Sequence, residues 1–398
     1  MILIFLLAVF FTPAQSRALT IEDTTIERNR QGTVFIDVDA MGDENTFGMS
    51  INFDPSELTA SSLTLASGAP AGAALIVNSG QSASGRIGMV VSMPIGQTSA
   101  PGHLRLVAIT FTAKPDKLST STSISFSDQP IARQLIKADA SAIPTTAVSF
   151  VPGKLTFTRT AALVSAASFT ANQPVSPSSI AAAFALHLAT GEALPQSVPL
   201  PTSLLGTTVV VKDLAGVERP APLFYVGPSQ VNFLIPDDTA AGRATVIVTA
   251  GDGTVTTGSI PISVVSPALF SADSSGVGIA AGDAYHYRNG EFISQEPLAT
   301  WDGTKLVARP IDLGPETDQV FLVLYGTGFR FNGGLSTIQA LVGGRDVTVG
   351  YAGPQGYFVG EDQINIGALP RSLIGAKQVN FAVSVAGRPS NIVTVEIK

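Results

Sequence analysis

Residues 34–39 read VFIDVD, and residues 47–53 read FGMSINF. In both stretches every second side chain is apolar. Successive side chains of an extended chain point to opposite faces, so this period of two predicts β-strands buried on one side. The turn residues DPS at 54–56 then end the second strand, because proline has no N–H to donate to a sheet.

Further short segments of this kind follow, and the composition agrees with them. The chain has 38 glycines and 26 prolines, and only 13% of its residues are charged. Many short strands joined by tight turns are typical of β-sandwiches. Residues 178–188 are the best helical candidate, but their pattern fits a strand equally well. The other predicted strands are residues 86–93, 104–112, 123–126, 147–151 and 154–158.

The chain also divides into regions and contains an internal repeat. Residues 159–167 are rich in Ala, and residues 172–179 are rich in Pro and Ser, which indicates a boundary near residue 160. Downstream, FYVGPSQVNF at 224–233 matches YFVGEDQINI at 357–366. Two copies of one pattern predict two sandwiches of the same kind. We therefore predict an all-β chain of three consecutive sandwiches: residues 17–158, 160–266 and 267–398.

The N-terminal segment predicts export. Residues 2–11 form an uncharged apolar run, and Ala14 and Ser16 are small residues at the −3 and −1 positions of a cleavage site. We expect residues 1–16 to be a signal peptide and the protein to be secreted or displayed at the cell surface. The chain has no Cys, which excludes disulfides, thiolate metal sites and cysteine nucleophiles.

Net charge disfavours two classes of partner. The formal charge is −7, the pI is near 5.0, and Lys and Arg form no cluster. Nucleic acids and anionic membrane surfaces are bound by basic patches, so neither is expected. No later run approaches the roughly 18 apolar residues of a transmembrane helix, so we expect no membrane span after signal cleavage.

The first region resembles a cohesin-like domain, from the broader superfamily of carbohydrate-binding β-sandwiches. The matching stretches are residues 34–38, 47–58, 102–104, 109–111 and 153–157, within about 20–158. The resemblance implies docking to a protein partner or binding of polysaccharide. The partner of a cohesin is a dockerin module, and no dockerin is visible in this chain.

The remainder resembles a C-terminal β-domain of secreted acidobacterial proteins, a bacterial family without known activity. One departure is visible: FALH at 184–187 stands where that family has a Gly-Thr-Asn turn, whereas the second copy keeps GTG at 326–328. The other matching stretches are residues 165–169, 199–206, 221–236, 362–365 and 390–391.

Few residues point to chemistry. The three histidines, His103, His187 and His286, have no metal-ligand spacing, and the chain has no nucleophile elbow or P-loop. We therefore expect no enzyme activity, no catalytic residue, no cofactor and no metal. One enzymatic alternative is a secreted glycan-acting hydrolase with its site in loops 281–313, which predicts a buried carboxylate or His with a shifted pKa there.

An acidic cluster is the best calcium candidate. Asp37, Asp39, Asp43 and Glu44 supply oxygen ligands close together, but their spacing departs from that of an EF-hand loop. A solvated strand face is the simpler interpretation, and the sequence leaves the choice open.

Repeated amides form a second candidate. Gln230 and Asn232 recur as Gln363 and Asn365, and each pair shares one face of a strand. They form either a polar binding ledge or a structural device in which the amides bond loop backbone. Repetition in both copies favours the structural device.

Aromatic residues lie together in sequence near the junction of the two copies. Aromatic faces can stack on sugar rings, but they also pack across domain interfaces, which is the more common role. The residues are Tyr285, Tyr287, Phe292 and Trp301, interleaved with His286 and Arg288.

These features favour a secreted, non-catalytic recognition or scaffolding protein. Its cohesin-like domain would bind extracellular polysaccharide or a dockerin-like protein partner. The sequence assigns no ligand-binding residue, and a purely structural cell-envelope protein is a further alternative.

Overall fold

A computed structural model describes residues 16–398, so all but one residue of the predicted signal peptide lies outside the described residues. Within that range the helices are four single turns of 3-10 helix: Ser82–Ser84, Thr145–Ala147, Leu335–Thr337 and Arg371–Leu373. All other regular structure is strand, which confirms the all-β prediction. The chain divides into two compact units after Thr158.

The first unit has thirteen strands. They are β1 (Arg17–Ile21), β2 (Thr24–Glu27), β3 (Gln31–Ala40), β4 (Glu44–Asn52), β5 (Leu58–Leu65), β6 (Ala74–Asn78), β7 (Arg86–Ser92), β8 (Gly102–Ala113), β9 (Ser121–Ser127), β10 (Gln134–Lys137), β11 (Ala142–Ile143), β12 (Val148–Val151) and β13 (Gly153–Thr158). Every strand that the sequence predicted in this region is present.

Two sheets enclose the core of the first unit. One has the order β12-β1-β3-β8-β5, and the other has the order β11-β10-β4-β9-β13-β2, with β7 pairing β4 and β6 pairing β7. The alternating residues Val34, Ile36 and Val38 are buried in the same core as Phe47 and Met49. The period of two in the sequence thus places one face of each sheet in a shared apolar layer.

Two of the pairings in this unit are parallel. β1 runs parallel to β12 near the end of the unit, and β2 runs parallel to β13. The first strands of the unit are therefore hydrogen-bonded to its last strands.

The second unit, Arg159–Lys398, holds two further cores. Around the first lie β14 (Ala162–Ser165), β15 (Ile180–Phe184), β16 (Ser203–Leu204), β17 (Thr207–Lys212), β18 (Glu218–Pro220), β19 (Leu223–Val226), β20 (Gln230–Leu234), β21 (Gly242–Thr249) and β22 (Val255–Ile262). Its sheets have the orders β14-β15-β20-β19 and β16-β17-β21-β22, with β18 beside β17. The ambiguous segment 178–188 contains strand β15 and no helix.

The last core is built in the same way. Its strands are β23 (Ala268–Leu269), β24 (Gly282–Arg288), β25 (Glu291–Pro297), β26 (Ala299–Trp301), β27 (Leu306–Ala308), β28 (Asp318–Thr327), β29 (Ile338–Val342), β30 (Arg345–Val347), β31 (Val349–Pro354), β32 (Asp362–Ile366), β33 (Lys377–Val385), β34 (Arg388–Pro389) and β35 (Val393–Ile397). One sheet has the order β25-β24-β28-β32-β31, with β23 beside β28. The other has the order β30-β29-β33-β34, with β35 beside β33.

Strand pairing corrects the alignment of the repeat. Asn232 pairs with Tyr225, and Asn365 pairs with Tyr351, so β19 corresponds to β31. The sequence alignment matched Tyr225 to Phe358 instead, which lies in the loop between β31 and β32. The later copy has a longer loop before β32, and residues 357–360 of that loop happen to resemble residues 224–227. The sequence alignment is therefore wrong over residues 224–227.

None of the helices within residues 16–398 has the length and apolar character that crossing a membrane requires.

Candidate functional site

The acidic cluster of the first unit separates into two groups. Glu44 is fully buried and accepts hydrogen bonds from Arg17 Nε at 2.7 Å, Met41 N at 2.9 Å and Ser99 Oγ at 2.8 Å. Burial alone raises the pKa of Glu44, but these hydrogen bonds outweigh it and hold that pKa below its ordinary value. Arg17 also pairs with Asp43. This group anchors the β3–β4 turn through hydrogen bonds that the protein itself supplies.

The other two carboxylates lie on the outer face of β3. Asp37 Oδ1 pairs with Arg105 Nε at 3.3 Å, and Arg105 also pairs with Glu22. Burial, together with the neighbouring Glu22 carboxyl, raises the pKa of Asp37. His103 Nδ1 lies 3.0 Å from Asp39 Oδ1, and this contact raises the pKa of His103.

These partners bear on the calcium hypothesis. Each of the four carboxylates already faces a cationic or titratable side chain. Within the part of the chain that the structure describes, no group of three or more His, Asp or Glu side chains is arranged to hold a metal ion. The cluster therefore consists of two ion-pair groups, one at the β3–β4 turn and one on the outer face of β3.

The aromatic residues of the last sandwich do come together. Tyr285 and Tyr287 lie on the outer face of β24, and Phe292 from β25 packs against both, with ring centroids 6.4 and 5.8 Å away. Tyr287 also meets Phe321 of β28 edge to face at 5.5 Å. Phe292 nevertheless remains 57% exposed. The four rings form an aromatic surface on their own sheet, rather than packing between the two repeats.

Trp301 and the two interleaved polar residues lie elsewhere. Trp301 belongs to the small β26–β27 hairpin and is 64% exposed. His286 is on the opposite face of β24 and contacts Glu296 at 3.0 Å, while Arg288 pairs with Asp318 at 2.7 Å. None of the three lines the aromatic surface.

A groove of about 660 Å³ runs beside these rings across the outer face of the sheet. Tyr285, Tyr287 and Phe321 form one side of it, and Gln363 and Asn365 of β32 lie in it. Gly350, at the β-bulge between Val349 and Tyr351, lines the groove without a side chain, and a Cβ there would lie 3.9 Å from the carbonyl oxygen of Asn365. The volume lies in the range of sites that bind small organic ligands. We call it the tyrosine groove.

The two amide side chains in the groove are hydrogen-bonded to each other. Gln363 Nε2 donates a 2.7 Å hydrogen bond to Asn365 Oδ1. Within residues 16–398 this is the side-chain hydrogen bond that the pair makes, so Gln363 Oε1 and Asn365 Nδ2 supply an acceptor and a donor to the groove that both residues line. The interpretation that these amides bond loop backbone is wrong, because the hydrogen bond of each pair joins its own two side chains.

Tyr325 lies beside the groove on the same face. Its hydroxyl donates to Asp283 Oδ2 at 3.3 Å. Burial, with the neighbouring Asp283 carboxylate as a further cause, raises the pKa of Tyr325 to about 12. The hydroxyl therefore stays protonated and acts as a donor at any physiological pH.

Two carboxyls of loops 281–313 bear on the hydrolase alternative. Asp302 and Asp312 are exposed, and both have a lowered pKa. Backbone hydrogen bonds from the following turn cause the shift at Asp302, and an ion pair with Lys398 causes it at Asp312. A general acid needs a raised pKa, so these residues do not provide the predicted acid.

Comparisons with known proteins give a likeness in structure alone. No protein-family model matches the chain, and no curated protein matches it in sequence. Among solved structures, cohesin modules are similar over about a third of the chain. The sixth cohesin of scaffoldin B from Acetivibrio cellulolyticus, solved with a dockerin, is 14% identical over 36% of this chain and 99% of its own, with a TM-score of 0.30.

Two further cohesins give similar figures. A non-cellulosomal cohesin from Archaeoglobus fulgidus is 9% identical over 36% of this chain and 91% of its own, with a TM-score of 0.30. The cohesin module of a family 33 glycoside hydrolase from Clostridium perfringens is 8% identical over 36% of this chain and 97% of its own, again at 0.30. The resemblance of residues 160–398 to acidobacterial C-terminal domains has no match among these comparisons and stays a prediction.

Sequence reasoning named the two tyrosines, Phe292 and the amide pair, but as separate features. It missed Phe321 and Gly350, which join them into one groove. A usable signal was present in β28, where Phe321, Val323 and Tyr325 alternate with buried residues. That alternation places all three on the outer face, but only strand pairing shows which residues they neighbour.

Proposed function

We propose that this chain is a non-catalytic recognition protein that binds neutral carbohydrate in the tyrosine groove. The observation that carries the proposal is an aromatic surface beside an amide donor and acceptor, in a groove whose lining includes no charged residue. We retain the expectation that the protein works outside the cell, because the predicted signal peptide supports it.

The lining suits a sugar for two reasons. The C–H faces of a pyranose ring are apolar and pack on aromatic rings, such as those of Tyr285 and Phe321. Its adjacent hydroxyls both donate and accept, which matches Gln363 Oε1 and Asn365 Nδ2 side by side. A charged ligand would leave its charge without a counter-ion here, so an uncharged sugar is favoured.

The test is site-specific. The full chain, isotope-labelled at Gln and Asn side chains, is titrated with neutral hexasaccharides of glucose, mannose and N-acetylglucosamine while side-chain amide NMR signals are recorded. At least one sugar should shift the signals of Gln363 and Asn365 in a saturable manner. Replacing Asn365 with Ala should weaken the shift at Gln363, because the substitution removes the amide donor that lines the groove.

A matched control separates the groove from exposed aromatics in general. Trp301→Ala removes an aromatic ring that is 64% exposed and lies outside the groove, and it should leave the titration unchanged. Binding that Asn365→Ala leaves intact, or that Trp301→Ala removes, would place the sugar site elsewhere and contradict the proposal.

A protein partner for the first unit is a second candidate. The ion-pair network of Glu22, Asp37 and Arg105, with the 64% exposed His103, gives the outer face of β3 and β8 a charged row suited to ionic contacts. A partner held there should be released by salt, and its association rate should fall when His103 is replaced by Ala. A partner whose binding changes neither with salt nor with the replacement of His103 would contradict this assignment.

A further inference from the structure

A second groove lies at the equivalent position of the preceding sandwich. It has a volume of about 600 Å³ and contains Gln230 and Asn232. Gln230 Nε2 donates to Asn232 Oδ1 at 2.8 Å, the same bond as in the tyrosine groove. Among the described residues this is the side-chain hydrogen bond that the pair makes, so Gln230 Oε1 and Asn232 Nδ2 likewise supply an acceptor and a donor to the groove. We call it the phenylalanine groove.

The two grooves correspond strand by strand. Asn232 pairs with Ala182 as Asn365 pairs with Val323, so β15 corresponds to β28. β19 and β31 carry the same β-bulge at the same register. The bulged residue is Phe224 in the earlier copy, whereas it is Gly350 in the later one. The same scaffold therefore presents the amide pair twice.

Its aromatic surface comes from different positions. Phe169 and Phe184 lie with ring centroids 6.2 Å apart, and Phe224 adds a third ring. Phe184 occupies the position that Tyr325 has beside the tyrosine groove, because Phe184 pairs with Gln230 as Tyr325 pairs with Gln363. The rings here carry no hydroxyl, so the amide pair supplies more of the polar contact.

A loop of the last sandwich closes one side of this groove. Phe270, Ser274 and Ser275 line it. The loop approaches so closely that a Cβ on Gly276 would lie 2.6 Å from the carbonyl oxygen of Ser168. Ser274 is exposed, so its hydroxyl is accessible at the edge of the groove. Clefts at the junction of two domains are a common position for ligand sites.

We propose that the phenylalanine groove is a second site for neutral sugar, so that one chain engages two carbohydrate segments. The proposal rests on the function proposed for the tyrosine groove, whose amide pair it repeats. None of the ten residues that line it is charged, although the chain has 53 charged residues. An uncharged ligand with apolar faces and paired hydroxyls complements that lining.

The same NMR titration reads the two sites separately. Saturable shifts at both Gln230/Asn232 and Gln363/Asn365 are expected with one neutral hexasaccharide. Asn365→Ala should weaken binding at Gln363 and leave the earlier pair unchanged. Asn232→Ala should raise the Kd measured from the Gln230 signal by about 2- to 10-fold, which is the effect of losing one hydrogen bond. The Kd measured at the later pair should not change.

Each result decides between the two proposals. Shifts confined to Gln363 and Asn365 would overturn the second site and leave the first. Shifts confined to Gln230 and Asn232 would overturn the first site and leave the second. A neutral proline-rich peptide serves as the competing class of ligand, and shifts with that peptide but with no sugar would overturn both.

Discussion

Substitution of Asp362 is the most stringent test of what stabilises the last sandwich. Asp362 is fully buried, and its carboxylate accepts hydrogen bonds from Phe329 N at 2.8 Å, Arg330 N at 3.1 Å and Arg330 Nε at 2.7 Å. Removing one partner of a buried ion pair costs about 3–5 kcal/mol, because the other charge is left without compensation. We expect Asp362→Ala to lower the free energy of unfolding by that amount. Asp362→Asn, which keeps the size but not the charge, should lower it by less.

The chain provides a matched control and a local probe. Ser229 precedes Gln230 as Asp362 precedes Gln363, but it is exposed, so Ser229→Ala should change stability by less than about 0.5 kcal/mol. The single Trp and five of the six Tyr lie beyond residue 267, so near-ultraviolet circular dichroism during urea unfolding reports mainly on the last sandwich. A loss below about 1 kcal/mol in Asp362→Ala would refute the assignment of a buried, compensated pair.

Three further outcomes follow from local geometry. Hydrogen bonds from Arg133 lower the pKa of Asp128 to about 2, so its contribution to stability is present above its ordinary pKa of 3.8 and is lost as pH falls through about 2. NMR titration should show this, and Arg133→Ala should return the pKa towards 3.8. Ultraviolet titration should give a pKa of about 12 for Tyr325, and Asp283→Asn should lower it only in part, because burial is the larger cause. Gly282→Ala places a methyl group 2.3 Å from a backbone carbonyl oxygen of β28 and should cost about 1–3 kcal/mol in urea unfolding.

Strands were predictable because their signal is local. The alternation at 34–39 and 47–53 depends only on neighbouring residues, and it correctly gave β3 and β4 with their buried faces. The division of residues 160–398 into two sandwiches, and the exact domain bounds, stay predictions.

Pairing between strands was less predictable, because it depends on residues far apart in sequence. Phe358 was matched to Tyr225 by local similarity, but the register of β31 with β32 gives that place to Tyr351. For the same reason the groove was not predicted. Its parts come from β24, β28, β31 and β32, and nothing in the local sequence brings Phe321 beside Tyr287.

The parallel pairings at the edges of the first unit have a mechanical consequence. Tension applied between residues 16 and 158 would pull β1 and β13 in opposite directions along their lengths. The β1–β12 and β2–β13 ladders would then be loaded in shear, with all their hydrogen bonds sharing the force instead of opening one after another. A unit connected in this way should yield only at high force when stretched through its ends, and at lower force when pulled across its strands.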